Sequence, residues 1–387
     1  MRQKQETANH ESDIRFDYSL LTAHCYRIIE GRRSNLPDEK DDIISSFDAV
    51  PAQREARGFT REQMVACEKC QRANPPTRMN CLYCGAALPA NEATAALRRP
   101  VLRQLETWEQ GFNVVLLPSA AESSVASGVA ASVGAAFSEA ASLLRLEPER
   151  VSEIASARKP LPLARVASRE EASLVVERLR ASGLQVETVA DELLAVETQQ
   201  PTRIRRLEFA DDVLTGWSGA GDEAHVLAWT EIESLVSGRL FTKRIEMEER
   251  RTRLGMEKET VDAREMTDDA GVVEIFGRRG EVDWRIISDS FDYSCLGQRK
   301  SLLARENFVT LGEMLRARAA SAAFDDDYTR LRHLLAAAWP LAEHTESRGL
   351  RRERPGKFNV EAATIVSNET QWTRYARLRN YYATKNR

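Results

Sequence analysis

Four cysteines, Cys67, Cys70, Cys81 and Cys84, stand in two Cys-x-x-Cys pairs that read CEKC and CLYC. Two thiolates at this spacing reach one metal ion from a tight turn, and two such turns supply the four soft ligands that tetrahedral Zn(II) prefers. Gly85 follows the last cysteine, where the turn leaving a metal knuckle needs a positive φ. Asn74-Pro75-Pro76 suits a stiff, non-helical connection between the pairs. A unit of roughly 25 residues cannot bury enough apolar surface to fold alone, so coordination would supply most of its folding free energy, on the order of 10 kcal/mol. Four protein ligands leave no position for water, so the single Zn(II) expected here is structural. A thiol–disulfide switch or a rubredoxin-type iron site would use the same four residues.

The rest of the chain offers no comparable constellation. HExxH, GxxxxGK[ST], GxGxxG and GxSxG are all absent. His10, His24, His225, His333 and His344 are scattered, and Cys25 and Cys295 stand alone. A lone cysteine reads first as a small apolar side chain. Asp325-Asp326-Asp327 reads as the acidic start of a helix. The expectation is a protein that is not an enzyme.

At 387 residues the chain has room for several domains, and 42% apolar with 29% charged residues is ordinary for a globular protein. A formal charge of −4 gives no global argument for nucleic acid or a membrane surface. No stretch approaches the roughly 20 apolar residues of a spanning helix. The first residues, MRQKQETANHESDIRFD, lack the apolar core of a secretory signal, so a cytoplasmic, reducing location is expected.

The elements that would position any site fall into an α+β, multi-domain order. Residues 1–63 read as a poorly structured or helical leader, with Phe16, Leu20, Leu21 and Ile28 on one stripe; Met64 could be an alternative start. The metal unit spans 64–92. In 100–197, Phe112 to Leu117 is a short buried strand, Ser138 an N-cap and Pro148 a helix start. Leu161 to Val166 is a second strand. Ser168-Arg-Glu-Glu171 is a capping box before a helix that Gly183 ends, and Leu184, Val186 and Val189 make a last strand. In 201–320, short strands at Leu207–Phe209, Val213–Trp217, 225–229, 232–236 and 240–245 precede a charged insertion from Glu246 to Asp269. Two more strands, 272–276 and 282–287, flank the turn Gly277–Gly280, and a helix carries Leu303, Phe308, Leu311 and Leu315. Residues 321–387 read as a helical basic segment, with a helix from Ala323 to Trp339.

From Arg348 to Arg387 there are ten Lys or Arg against three Glu. As a helix, the end QWTRYARLRNYY places Trp372, Tyr375, Leu378 and Tyr382 on one side, with Arg374 and Arg377 nearby. This stripe suits docking against the body, contact with an acidic protein partner, or stacking and phosphate contact with single-stranded nucleic acid. Trp372, Arg374, Tyr375 and Arg377 are its candidate partner-binding residues. Residues 64–89 carry Lys69, Arg72 and Arg78 against Glu68, which four thiolates and one Zn(II) would bring to about zero, so the metal unit adds nothing to the nucleic-acid reading.

Resemblances carried by three segments add to this. The segment CEKCQRANPPTRMNCLYCG resembles the bacterial zinc-ribbon family. Its spacing is also similar to the Ran-binding-protein zinc finger, without that finger's Trp, since Val65 stands two before the first cysteine. FNVVL together with SREEASLVVERLRASGLQVETV resembles the C-terminal domain of the ribosomal stalk protein and the Clp protease adaptor, which implies a compact βααβαβ fold and recruitment of other proteins. LAWTEIESLVSGRL is similar to bacterial pleckstrin-homology-like proteins, which implies a β-barrel with a C-terminal helix. The combined expectation is a zinc-binding adaptor or scaffold, with a nucleic-acid- or ribosome-associated protein and a thiol-based redox regulator as alternatives.

Overall fold

The computed structural model describes residues 58–89, 97–106, 108–118, 127–196, 198–219, 223–252, 258–278, 282–354 and 357–385. The chain divides into two units, Met1–Met64 and Val65–Arg387. In the first only 58–64 are described, as turns, so the readings of a leader helix, of Cys25 and of His24 lie outside the described residues.

The second unit opens with a two-stranded antiparallel ribbon, β1 (Val65–Ala66) and β2 (Ala73–Asn74). A mixed layer follows: β3 (Phe112–Leu116), α1 (Ser127–Leu144), α2 (Pro148–Ser156), β4 (Leu161–Val166), α3 (Arg169–Ala181), β5 (Val186–Ala190) and the short α4 (Asp191–Leu194). β3 is the central strand, antiparallel to both β4 and β5. Its run of apolar residues, from Val114 to Leu116, is buried on both faces, as a central strand requires. The strand and helix order expected for 100–197 is present.

Two local expectations there change. Ser138 lies inside α1 and donates its hydroxyl to the Gly134 carbonyl, so it is not a cap. Ser168 does cap α3 through the Glu171 amide at 3.2 Å. The Glu171 carboxylate, however, turns outward from that box and accepts the amides of Val101 and Leu102 at 2.6 and 2.8 Å. It thereby ties the segment after the ribbon to the mixed layer.

Next come β6 (Thr202–Arg203) and a three-stranded meander, β7 (Arg206–Phe209), β8 (Val213–Trp217) and β9 (Ala224–Ala228). The remaining elements are β10 (Ile232–Thr252), β11 (Lys258–Gly277), β12 (Asp283–Ile287), α5 (Ala304–Arg318), β13 (Ala323–Asp325), α6 (Tyr328–Leu335), β14 (Ala342–Arg354), β15 (Lys357–Ser367) and α7 (Glu369–Lys385). They build one seven-stranded sheet in the order β14-β15-β10-β11-β12-β6, with β13 pairing β10. The sheet path is open between β14 and β6, and the curled part of the fold is a half-barrel, where a closed pleckstrin-like barrel was expected.

The charged stretch from Glu246 to Asp269 is not an insertion. It continues β10 and β11 as a long antiparallel hairpin, paired from Gly238–Val272 out to Arg251–Lys258 with one register shift between Glu248 and Glu249. β14 and β15 are also strands where a helical segment was expected, and the 323–339 helix shrinks to α6 behind β13. Segment 321–387 thus shares a sheet with 201–320.

Two cores lie on opposite faces of that sheet. Leu235, Val273, Ile275 and Ile286 face a core completed by the meander and α5. Val236, Val272 and Phe276 face the other, together with α6, α7 and the whole mixed layer. α7 is the bolt between layers. Its Trp372 packs so close over β10 that a Cβ on Gly238 would lie 2.5 Å from the indole ring. Trp339, just after α6, donates its indole N–H to Asn113 of β3 at 2.8 Å.

Candidate metal centre

The two cysteine pairs fold into matching knuckles. In the first, the Cys67 amide donates to the Arg72 carbonyl at 3.0 Å and the Gln71 amide to the Cys67 carbonyl at 2.8 Å. In the second, Cys81 donates to Ala86 at 2.8 Å and Gly85 to Cys81 at 3.0 Å. The residue after each pair is left-handed: Gly85 at φ 71°, as its type suggests, and Gln71 at φ 59°, where no glycine announces it.

The knuckles face each other, and all four sulfur atoms lie within 4.8 Å of one another. Across the knuckles, Cys67 Sγ is 3.6 Å from Cys84 Sγ and Cys70 Sγ is 3.5 Å from Cys81 Sγ. Four thiolates at about 2.3 Å from a tetrahedral ion stand roughly 3.8 Å apart, so this donor set fits one soft divalent ion with no open position.

Asn74, which read as part of a linker, is the clamp of the site. It is fully buried; its amide nitrogen donates to the Arg72 carbonyl at 2.8 Å and to Cys81 Sγ at 3.5 Å, while its oxygen accepts the Leu82 amide at 2.9 Å. Hydrogen bonds of this kind orient metal ligands and hold their charge. Burial opposes ionisation of Cys81, but the Tyr83 and Cys84 amides and the neighbouring Cys70 and Asn74 bring its thiol down to about 6. The Arg72 amide favours ionised Cys70, yet burial and the three neighbouring thiols push it up to about 12. Four sulfurs this close cannot all ionise without a cation among them.

The hydrophobic cluster around the site is small: Val65, Cys67, Cys81 and Leu88, with Cys70 and Ala86 packed against them. Apolar burial is correspondingly small, which is the situation in which a bound ion carries the fold. The surface of the second knuckle presents Leu82 and Tyr83, with the Arg72 guanidinium 4.7 Å over the tyrosine ring.

No protein-family model, curated protein or solved structure matches the chain. The likeness to a zinc ribbon therefore rests on the cysteine cluster, and the likeness of residues 111–190 to the stalk-protein and Clp-adaptor domains has no relative behind it.

The other sequence candidates separate. Trp372, Arg374, Tyr375 and Arg377 are all buried, so the stripe is a packing face of α7 and offers a partner no free surface. Trp372 packs edge-to-face and Tyr375 at a tilt against Tyr328 of α6, with ring centroids 5.0 and 5.2 Å away. Arg377 donates to the Leu194 carbonyl at 3.1 Å and to Asp283 at 2.7 Å. His225 meets Ser218 at 3.1 Å, while His333 and His344 stand beside Glu153 and Glu346 at 3.9 and 3.6 Å; no third catalytic partner joins any of them among the described residues. Burial pushes the Cys295 thiol up to about 11, which suits an inert packing residue. Asp325 and Asp327 share Lys159, Arg379 pairs with Asp325 at 3.1 Å and Arg330 with Asp327 at 3.0 Å, so this pair is already neutralised by the protein. Among the described residues no helix is long and apolar enough to cross a membrane.

What sequence reading missed is a buried polar network under α7. Glu274 and Arg285 pair across β11 and β12 at 3.0 Å, and Arg285 also donates to Thr373 at 2.8 Å and Glu369 at 3.0 Å. Glu274 interrupts the apolar run Val272–Phe276 and Arg285, like Asp283, interrupts β12, and only that conflict with the strand pattern could have flagged them.

Proposed function

We propose that this protein is a non-enzymatic adaptor whose N-terminal module is locked by one structural Zn(II), and whose partner is another protein. The observation that carries the reading is a four-stranded arm. Beyond Phe241, β10 and β11 continue together with β14 and β15 out to their turns. Its outer strands, β14 and the outer part of β11, pair on one side only. Of the arm's described side chains, Met247 and Met266 are exposed and Ile245 and Val366 only half-buried. A long sheet whose outer strands pair on one side only among the described residues is the feature by which sheets recruit further chains.

Zinc suits the ribbon because the four thiols, tightly spaced and closed, match its coordination number and leave no site for water. The basic aromatic helix supports neither nucleic acid nor an acidic partner, since its aromatic side chains are spent on the core.

The test combines metal analysis with partner capture. Purified protein should carry one zinc per chain. A protein retained by the wild type after nuclease treatment should be lost when Ile245, Met247 and Val366 are changed to Glu, with the melting temperature held. Retention unaffected by these changes would remove the arm from the argument, and a chain without zinc would remove the metal.

A further inference from the structure

A cavity of about 500 Å³ opens between the α4 corner, the C-terminal half of α7 and the face of β10, β11 and β12. Its floor is set by register. Ser234, Phe276 and Asp283 stand opposite one another on three adjacent strands. The β10–β11 pairing shifts between Ile232 and Ser234, so Glu233 is the extra residue of a bulge. Ser234 already points to α7, donating to Asn380 at 2.7 Å. On a flat strand its neighbour Glu233 would face the opposite side; the bulge re-aims it, and both Glu233 and Asp283 line the cavity with Phe276 between them.

The two carboxylates are under-satisfied. Asp283 is 5% exposed, and its Oδ2 accepts from Arg377 at 2.7 Å while its buried Oδ1 has no donor among the described residues. Glu233 Oε2 is buried and likewise without a donor. Arg377 does not meet the need: its terminal nitrogens are engaged by the Leu194, Ala195 and Gln199 carbonyls and by Asp283, and only its Nε lacks a partner. Two orphan acceptors against one N–H leave the site short of donors, and a buried acceptor without a donor is costly. The remaining wall joins an apolar side, from Leu193, Leu194 and Phe276, to a polar one carrying Asn380, Tyr381 and Thr384.

We propose that this cavity binds a primary ammonium group on a short apolar body, with Glu233 Oε2 and Asp283 Oδ1 accepting its N–H donors and Phe276 and Leu193 holding its carbon chain. The aromatic floor adds to the preference for a cation, and the volume is that of a small-molecule site. The inference stands apart from the zinc-adaptor reading and uses none of the same residues. The ammonium could come from a free amine or from a lysine side chain.

Calorimetric titration of the full chain with n-butylamine at about pH 9, where Asp283 is a carboxylate and the amine is still an ammonium, tests it, with n-butanol as the uncharged control and Nα-acetyl-lysine amide as the second source. The expected result is a Kd of about 1 mM for n-butylamine, within the range small ligands reach, and binding of n-butanol at least about tenfold weaker. Glu233→Gln, at a partly exposed position, should stay folded and weaken n-butylamine about tenfold; Asp283→Asn should weaken it at least as much. Tighter binding of acetyl-lysine amide than of n-butylamine would assign the site to a lysine side chain and uphold the chemistry. Equal binding of amine and alcohol, or an unchanged Kd in folded Glu233→Gln, would overturn it. So would displacement of the amine by millimolar calcium, which would make this an inorganic cation site. Absence of any amine binding would equally overturn it, leaving a proton shared between Asp283 and Glu274 to account for the orphan oxygen.

Discussion

The indole N–H of Trp372 donates to Glu274 Oε2 at 2.7 Å, and both residues are completely buried. One bond therefore joins α7 to the centre of the large sheet at the point where Glu274 also receives the Arg285 guanidinium. It is part of how a helix rich in arginine and tyrosine is held inside a protein: Trp372 and Arg377 meet the acceptors Glu274 and Asp283 on β11 and β12.

Glu274→Gln keeps an acceptor for Trp372 but strands the Arg285 charge at a site only 3% exposed. Breaking a buried pair from one side costs about 3–5 kcal/mol. Glu369, the outer partner of Arg285, has a side chain 47% exposed, and Glu369→Gln should cost under about 1 kcal/mol. Urea unfolding of the two variants side by side is the check; similar losses would mean that burial does not decide this network.

Gly238→Ala should destabilise by about 1–3 kcal/mol, because the new methyl would meet Trp372 at 2.5 Å and Tyr328 at 3.0 Å. Gly134→Ala, inside α1 with nothing within 4 Å, should instead be neutral or stabilise by about 0.5–1 kcal/mol. Thermal melts of both variants should move in opposite directions.

Asp283 gives the fold a pH dependence. Burial first, then the Glu274 carboxylate, push it from 3.8 up to about 8, against the opposing pull of Arg377 and Arg285. Glu233 and Tyr381 also line its cavity. A group raised on folding stabilises fully below its unfolded value, and that contribution is lost as pH rises through the folded one. Wild type should therefore lose a few kcal/mol relative to Asp283→Asn between about pH 4 and pH 8. Denaturation curves taken at pH 5 and pH 8.5 test the sign, and parallel changes in the two proteins would contradict it.

Chelation should act locally. The cysteine ribbon has its own small cluster, apart from the two large cores, so removing the metal should unfold residues 65–89 and leave the rest intact. Limited proteolysis with and without chelator should show new cleavage confined there. Cys70→Ser should reproduce it, with zinc content falling well below one per chain, while Cys295→Ser should change neither.

By itself the sequence determined the metal knuckles and the mixed layer. Cys67 to Gly85 and the run from Phe112 to Val189 are legible because their signals are local: ligand spacing, a positive-φ glycine, a capping serine, apolar runs of strand length. Only the tertiary structure decided the rest. Glu246 to Asp269 reads as a charged loop because its sequence shows no apolar alternation, and its identity as strand lies in hydrogen bonds to partners as distant as Lys357–Ser367. The stripe of Trp372, Arg374, Tyr375 and Arg377 looks alike whether it meets a partner or its own core. Glu274, Asp283 and Tyr328, brought to it from remote strands and a helix, settle that it faces inward, and no local pattern contains them.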